Sequence, residues 1–198
     1  RDGRADEINT CIGCNQACLD HVFEGKRCSC LVNPQACHEL DLVYQKTLNK
    51  KRVAVVGAGP AGLACATVAA ECGHEVILYE TAHEIGGQFN MAKLVPGKEE
   101  FYETLRYYKK RLEVLNVDLR LGEQANLDKI KAENFDEVVI AAGILPREPG
   151  ITGQDHPSVL TYIDVLRGNK SVGERAAVIG AGGIGFDVCE FLSHDDDQ

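Results

Sequence analysis

The middle of the chain alternates between two hydrophobic periods. Arg52-Val53-Ala54-Val55-Val56 is a nearly unbroken apolar, β-branched run, the pattern of a parallel strand buried on both faces. Gly57-Ala58-Gly59-Pro60 then reads as a turn, and small apolar residues from Ala61 to Cys72 predict a helix that stops at Gly73. His74 to Glu80 reads as a second strand. Phe101, Leu105, Tyr108, Leu112 and Leu115 recur at helical spacing and predict one stripe that packs on a sheet. Two further strands are expected near Asp118–Leu121 and Glu137–Ala141. This alternation predicts a doubly wound, Rossmann-like α/β sheet. Ala176-Ala177-Val178-Ile179 opens a second strand–glycine–helix unit, whose apolar faces around Val178, Ile179, Phe186 and Phe191 are expected to lack partners. Residues 1–50 show weak periodicity and read as loop and short helix ordered by something other than a core. The chain thus divides into 1–50, 51–152 and 153–198.

Composition narrows the class. The 198 residues are 44% hydrophobic and 26% charged, which excludes disordered and low-complexity proteins. The 21 Lys and Arg against 30 Asp and Glu give a net charge of −9, so neither nucleic acid nor an anionic membrane is an expected partner. The acidic tail Asp195-Asp196-Asp197 favours solubility. No apolar run approaches a transmembrane length, and the first residues lack a signal-peptide core, which points to the cytoplasm. With Met91 as the only methionine, the sequence reads as a piece of a longer polypeptide.

Nine cysteines without an export signal indicate metal or redox chemistry rather than a disulfide framework. Six lie between Cys11 and Cys37; Cys65, Cys72 and Cys189 stand in apolar stretches and read as buried, inert thiols. Cys11, Cys14 and Cys18 bring three thiolates close together, and Cys28, Cys30 or Cys37 would supply a fourth. Four thiolates suit an iron–sulfur cluster or tetrahedral zinc, and the packing of three together favours the cluster. His21, His38 and His156 sit in polar segments as surface or capping residues.

Gly57-x-Gly59-x-x-Gly62 follows a strand and opens a helix. The first glycine permits the turn, the second lets backbone approach a pyrophosphate, and the third lets helix and strand pack closely. Glu80 stands 18 residues after Gly62, at the end of the next strand, where a carboxylate accepts ribose hydroxyls and repels a 2′-phosphate. The pair predicts FAD or NAD, and two features select FAD. Gly86-Gly87 is the doublet of flavoproteins with two dinucleotide domains. Asp136 to Gly143 resembles the strand and turn by which such proteins leave the FAD domain. Gly180, Gly182 and Gly185 repeat the first motif and predict a nicotinamide dinucleotide site.

Taken together, Cys11-Ile12-Gly13-Cys14-Asn15-Gln16-Ala17-Cys18, Ser29-Cys30-Leu31-Val32-Asn33-Pro34 and Ala36-Cys37-His38-Glu39 resemble the iron–sulfur segment of the bacterial 2,4-dienoyl-CoA reductase family. Gly86-Gly87-Gln88-Phe89-Asn90 and Pro96-Gly97-Lys98-Glu99-Glu100-Phe101-Tyr102 resemble its FAD domain, and Gly180 to Asp187 the start of its NADPH domain. The resemblance implies electron passage from NADPH through FAD and a 4Fe–4S cluster to FMN in a barrel domain that lies outside this chain, and then to a dienoyl thioester. It carries the cluster ligands onto Cys11, Cys14, Cys18 and Cys30, separated by two, three and eleven residues. Cys28 is then an extra thiol, and Cys37 matches a family cysteine that is not a ligand. Gln16, Ala61, Glu80, Gln88 and Lys98 fall on FAD contacts, and Ala125 on a backbone contact where the family more often has Val.

No catalytic residue falls within this chain, and acyl-CoA is implied only through the barrel. The 198 residues alone are therefore expected to carry electrons without reducing a dienoyl-CoA. Alternatives are a fragment of a 2-enoate reductase, of a trimethylamine dehydrogenase-type flavoprotein or of a glutamate-synthase-like small subunit. From another class comes a non-catalytic module binding zinc and a nucleotide.

Overall fold

The computed structural model describes residues 3–194. The acidic tail Asp195-Asp196-Asp197 lies outside the described residues. Two compact units form. The first runs to Phe89 and resumes from Glu100 to Gly143; the second comprises Asn90–Glu99 and the described residues from Ile144 onward.

In the first unit, α1 (Leu19–Phe23) is a short helix in the cysteine-rich segment. Then follow β1 (Arg52–Val56), α2 (Pro60–Glu71), β2 (Glu75–Glu80) and, beginning at Phe89, α3 (Phe89–Ala92). α4 (Glu100–Val114), β3 (Asp118–Leu121), α5 (Leu127–Ala132) and β4 (Glu137–Ile140) complete the order. The four strands are parallel, in the order β3-β2-β1-β4. Alternate residues of β1 and β2 serve opposite faces. Val53, Val55, Val76 and Leu78 pack with Leu63 and Ala66 of α2 and Leu112 of α4. Ala54, Ile77 and Tyr79 face the other way, against Ala125, Ile130 and Phe135. The α4 stripe is as expected, with Leu105 and Tyr108 beside the first core and Phe101 stacked on Phe89 at 4.4 Å between ring centroids. Gly73 stops α2 at φ +94°, and its amide donates to Ala70 O.

In the second unit, Met91 and Val95 pack with Val165 and Leu166 of α6 (Tyr162–Leu166) and Val188 of α7 (Gly183–Ser193). α6 opens with a capping box: Thr161 Oγ1 accepts from the Asp164 amide, and Asp164 Oδ2 accepts from the Thr161 amide.

Three expectations need correction. Ala176–Ile179 forms no strand, and Ile179 is 80% exposed. β-branched residues supply propensity, but a strand needs a neighbour to complete its hydrogen-bond ladder, and no described residue pairs with this stretch. Cys189 is exposed rather than buried, because Val188 is the residue that α7 turns into the core. Cys65 and Cys72 are half-buried. Phe186 is exposed, as expected, whereas Phe191 packs beside the core of the second unit.

Candidate functional site

The parallel register brings the C-terminal ends of β1, β2 and β4 level, with Val56 opposite both Tyr79 and Ile140. Ligands of open α/β sheets bind at this edge. Here Gly57 turns the chain at φ +105°, and its amide donates to Tyr79 O at 2.8 Å. A Cβ on Gly57 would overlap Ala141 O, and one on Gly62 would overlap Gly57 O. Gly59 differs: it is the N-cap of α2, and nothing lies within 4 Å of where its Cβ would be. The first and third glycines therefore serve packing, and the second leaves open space at the helix N-terminus for an anion.

The Gly86-Gly87 doublet closes on this turn. Gly86 N donates to Ala58 O at 2.8 Å, and a Cβ on Gly87 would stand 3.1 Å from Gly59 Cα. The role of the doublet is thus close backbone approach beside the open position. Sequence reasoning found both glycines but missed this contact.

Glu80 ends β2. Its Oε2 accepts the Ala58 amide at 2.8 Å, and its Oε1 accepts the Ala82 amide at 2.9 Å and the Thr81 hydroxyl at 3.2 Å. An ionised carboxylate offers about four acceptor positions, so one remains for a ribose hydroxyl. Beside it lies a cavity of about 240 Å³, lined by Val56, Gly57, Tyr79, Glu80, Ala125 and Ala142 among others. Gly57, Glu80 and Ala125, which the sequence nominated separately, share this cavity. Ala61, on the first turn of α2, is exposed, as is Gln88.

The second glycine turn repeats the geometry. Gly180 has φ +116°, Gly182 is the N-cap of α7 with open space at its Cβ position, and a Cβ on Gly185 would overlap Gly180 O. Turn and helix form here without a flanking strand. Lys98 lies in the same unit and pairs with Asp187 of α7 at 2.6 Å.

All nine cysteines are free thiols. Cys11, Cys14, Cys18 and Cys30 sit on loops that fold back on one another. Ser29 N donates to Ala17 O at 2.7 Å, joining the neighbours of Cys18 and Cys30, and Gly13 N donates to Cys11 Sγ at 3.4 Å. Burial pushes the Cys28 thiol up, and the nearby Cys37, Cys18 and Cys30 thiols add to the shift. No group of three or more His, Cys, Asp or Glu among the described residues is arranged tightly enough to hold a single metal ion. The donor set itself, four free thiols on chain segments tied by that backbone bond, fits a soft metal cluster. Gln16 is exposed in this segment. His21, His38 and His156 make local contacts with Arg27 O, Asp41 and Ser158.

Residues 51–195 match the model of the family described as pyridine nucleotide-disulphide oxidoreductase. The chain belongs to that family. It is an oxidoreductase module, and both glycine cradles fit the flavin and nicotinamide dinucleotides that this class binds. Among relatives of this oxidoreductase, the bilirubin reductase of Mediterraneibacter gnavus is 38% identical over 96% of the chain and 30% of its own length. The metal reductase of Desulforamulus reducens is 36% identical over 96% of the chain and 29% of its own length. The solved complex of 2-naphthoyl-CoA reductase with 2-naphthoyl-CoA matches with a TM-score of 0.90 and 38% identity, over 94% of the chain and 29% of that protein. The oxidoreductase chain therefore spans less than a third of the length of these relatives. Both relatives and the solved structure overlap the cysteine segment, which lies outside the residues of the family model.

Proposed function

We propose that the chain is the electron-transfer portion of a reductase that passes electrons from NAD(P)H through FAD and a 4Fe–4S cluster to FMN in a barrel domain, for reduction of an unsaturated acyl-CoA. The observation that carries this reading is that one unit contains both the Gly57–Gly62 turn with its Glu80 cavity and the cysteine-rich segment. When bound, a flavin and a cluster convert two-electron hydride chemistry into single-electron steps.

The chain's residues have distinct tasks. Glu80 accepts a hydroxyl of the FAD ribose, Gly59 and Gly87 give the diphosphate access to backbone, and Ala125 presents backbone beside the cavity. Gln16, Ala61, Gln88 and Lys98 are further FAD contacts by resemblance. Cys11, Cys14, Cys18 and Cys30 hold the cluster, and Gly180, Gly182 and Gly185 cradle the nicotinamide dinucleotide. None of these residues transfers a proton to substrate, so that role belongs to the barrel.

The acyl-CoA class is supported by the 2-naphthoyl-CoA bound to the solved relative, and a 2,4-dienoyl-CoA by the motifs of the cysteine and FAD segments. The proposed location is the cytoplasm, with small redox cofactors as partners and neither nucleic acid nor membrane. No helix among the described residues is long and apolar enough to cross a membrane.

The test is a visible spectrum of anaerobically purified protein with iron, acid-labile sulfide and flavin assays. Iron and sulfide in equal amounts beside FAD support the reading. A colourless protein carrying zinc overturns it. NADPH oxidation by the full polypeptide with a 2,4-dienoyl-CoA, against bilirubin, then tests the substrate class.

A further inference from the structure

We infer that Arg106 anchors the cysteine segment onto the dinucleotide-binding domain and is a positioning residue for the cluster, an inference that rests on the ligand reading above. Arg106 projects from α4, and its guanidinium is divided among four partners. Nε donates to Glu103 Oε2 at 2.7 Å, which fixes the plane of the fork. Nη1 donates to Asp6 O, and Nη2 donates to Ile8 O at 2.9 Å and to Thr10 Oγ1 at 3.4 Å. Residues 6, 8 and 10 are alternate positions of the stretch that runs directly into Cys11.

The intervening residue faces elsewhere. Asn9 Nδ2 donates to Val32 O at 2.6 Å, on the loop that carries Cys30. Residues 8–10 are therefore held by α4 through Arg106 and by the Cys30 loop through Asn9. This arrangement fixes the first ligand and the fourth relative to the same helix.

Neighbouring charges support the anchor without replacing it. Lys110 pairs with Asp6 at 3.2 Å, and Arg111 with Glu7 at 3.8 Å. Both reach side chains upstream of residue 8, whereas only Arg106 reaches Ile8 and Thr10. A lysine at 106 could not serve as well, because an ammonium on a flexible stem lacks the planar fork that donates in three directions.

The experiment compares R106Q, R106K and K109Q with the unaltered full chain. K109Q removes the same charge from an exposed position of the same helix and serves as the control. Backbone amide exchange over residues 8–11 and the rate of iron release to a chelator are measured, with FAD content alongside. Hydrogen bonds to a charged group are stronger than neutral ones, and solvent screening weakens them at a half-buried site such as this.

R106Q is therefore expected to speed exchange and iron release about tenfold, R106K less, and K109Q not at all, with FAD content constant. Unchanged exchange in R106Q overturns the anchor. Equal loss of FAD and iron also overturns it, because Arg106 would then support the domain as a whole. Absence of iron from the unaltered protein refutes the cluster reading, while the exchange data still decide whether Arg106 holds the segment.

Discussion

Glu80 Oε2 accepts the Ala58 amide at 2.8 Å, so the carboxylate at the end of β2 is fastened to the first glycine turn. The same side chain that faces the dinucleotide cavity also holds the turn in shape. Its substitution must affect binding and local structure together, and the choice of variant separates them.

Glu80→Gln keeps a carbonyl oxygen for one backbone amide and can donate to a ribose oxygen. It is expected to weaken FAD binding about tenfold, with a small change in Tm. Glu80→Arg supplies no acceptor, leaves the amides of Ala58 and Ala82 unpaired, and is expected to weaken FAD by roughly 10- to 150-fold, from the loss of about 1.5–3 kcal/mol. Titration of apoprotein with FAD checks both. An unchanged dissociation constant in Glu80→Arg would remove Glu80 from the ribose site.

Gly59 and Gly62 give a second separation. At Gly59 an alanine Cβ meets nothing within 4 Å and φ is −74°, so Gly59→Ala should fold with nearly unchanged Tm and lose FAD affinity by occupying the anion's space. At Gly62 the Cβ overlaps Gly57 O, and Gly62→Ala is expected to cost roughly 1–3 kcal/mol of stability, a Tm fall of several degrees. Thermal melts of the two apoproteins decide; equal Tm values would contradict the assignment.

These positions also show what was legible in the sequence. β1, β2 and both glycine turns were readable because burial on two faces and a turn–helix junction leave local patterns. Ala176–Ile179 is apolar like the middle of β1 yet pairs with nothing described, since a ladder is a property of two segments and hydrophobicity belongs to one. α6 was missed although Thr161 and Asp164 spell its capping box, because the helix is only five residues long and too short to show a period. The Gly87–Gly59 approach and the Arg106 fork join residues far apart in the chain, and no periodicity encodes them.

Cys28 and Cys30 are two residues apart, and the bond from Ser29 N to Ala17 O brings both near Cys18. The eleven-residue spacing of the resembling family selects Cys30. Cys30→Ser is expected to abolish iron incorporation, whereas Cys28→Ser and Cys37→Ser keep it nearly intact. Iron and acid-labile sulfide per chain are the measurement, and the reverse pattern would transfer the fourth ligand to Cys28.

Tyr79 carries a pH prediction on the stability of the apoprotein. Its ring is buried beneath the sheet, and its hydroxyl donates to Glu133 Oε1 at 2.7 Å; Arg120 also donates to that oxygen. Burial, then the bond to the carboxylate, push the phenol from 10.0 up to about 12. The Tyr79 bond and then Arg120 hold the Glu133 carboxyl below its ordinary value. For Tyr79 the folded chain retains a proton that the unfolded chain releases near pH 10, so its contribution is full below that value and is lost as pH rises towards 12. For Glu133 the sign is opposite: its contribution is full above the ordinary carboxylate range and is lost on acidification. Tyr79→Phe is expected to lower stability near pH 8 by about 1 kcal/mol, the worth of one hydrogen bond, and to lose less than the unaltered chain between pH 10 and 12. Tyr107 and Tyr108, also raised by burial, contribute equally to both proteins and cancel in the difference. Urea midpoints at about pH 8, 10 and 11.5 provide the measurement, and a gap between the two proteins that fails to narrow by the highest pH would show that Tyr79 is not the group titrating.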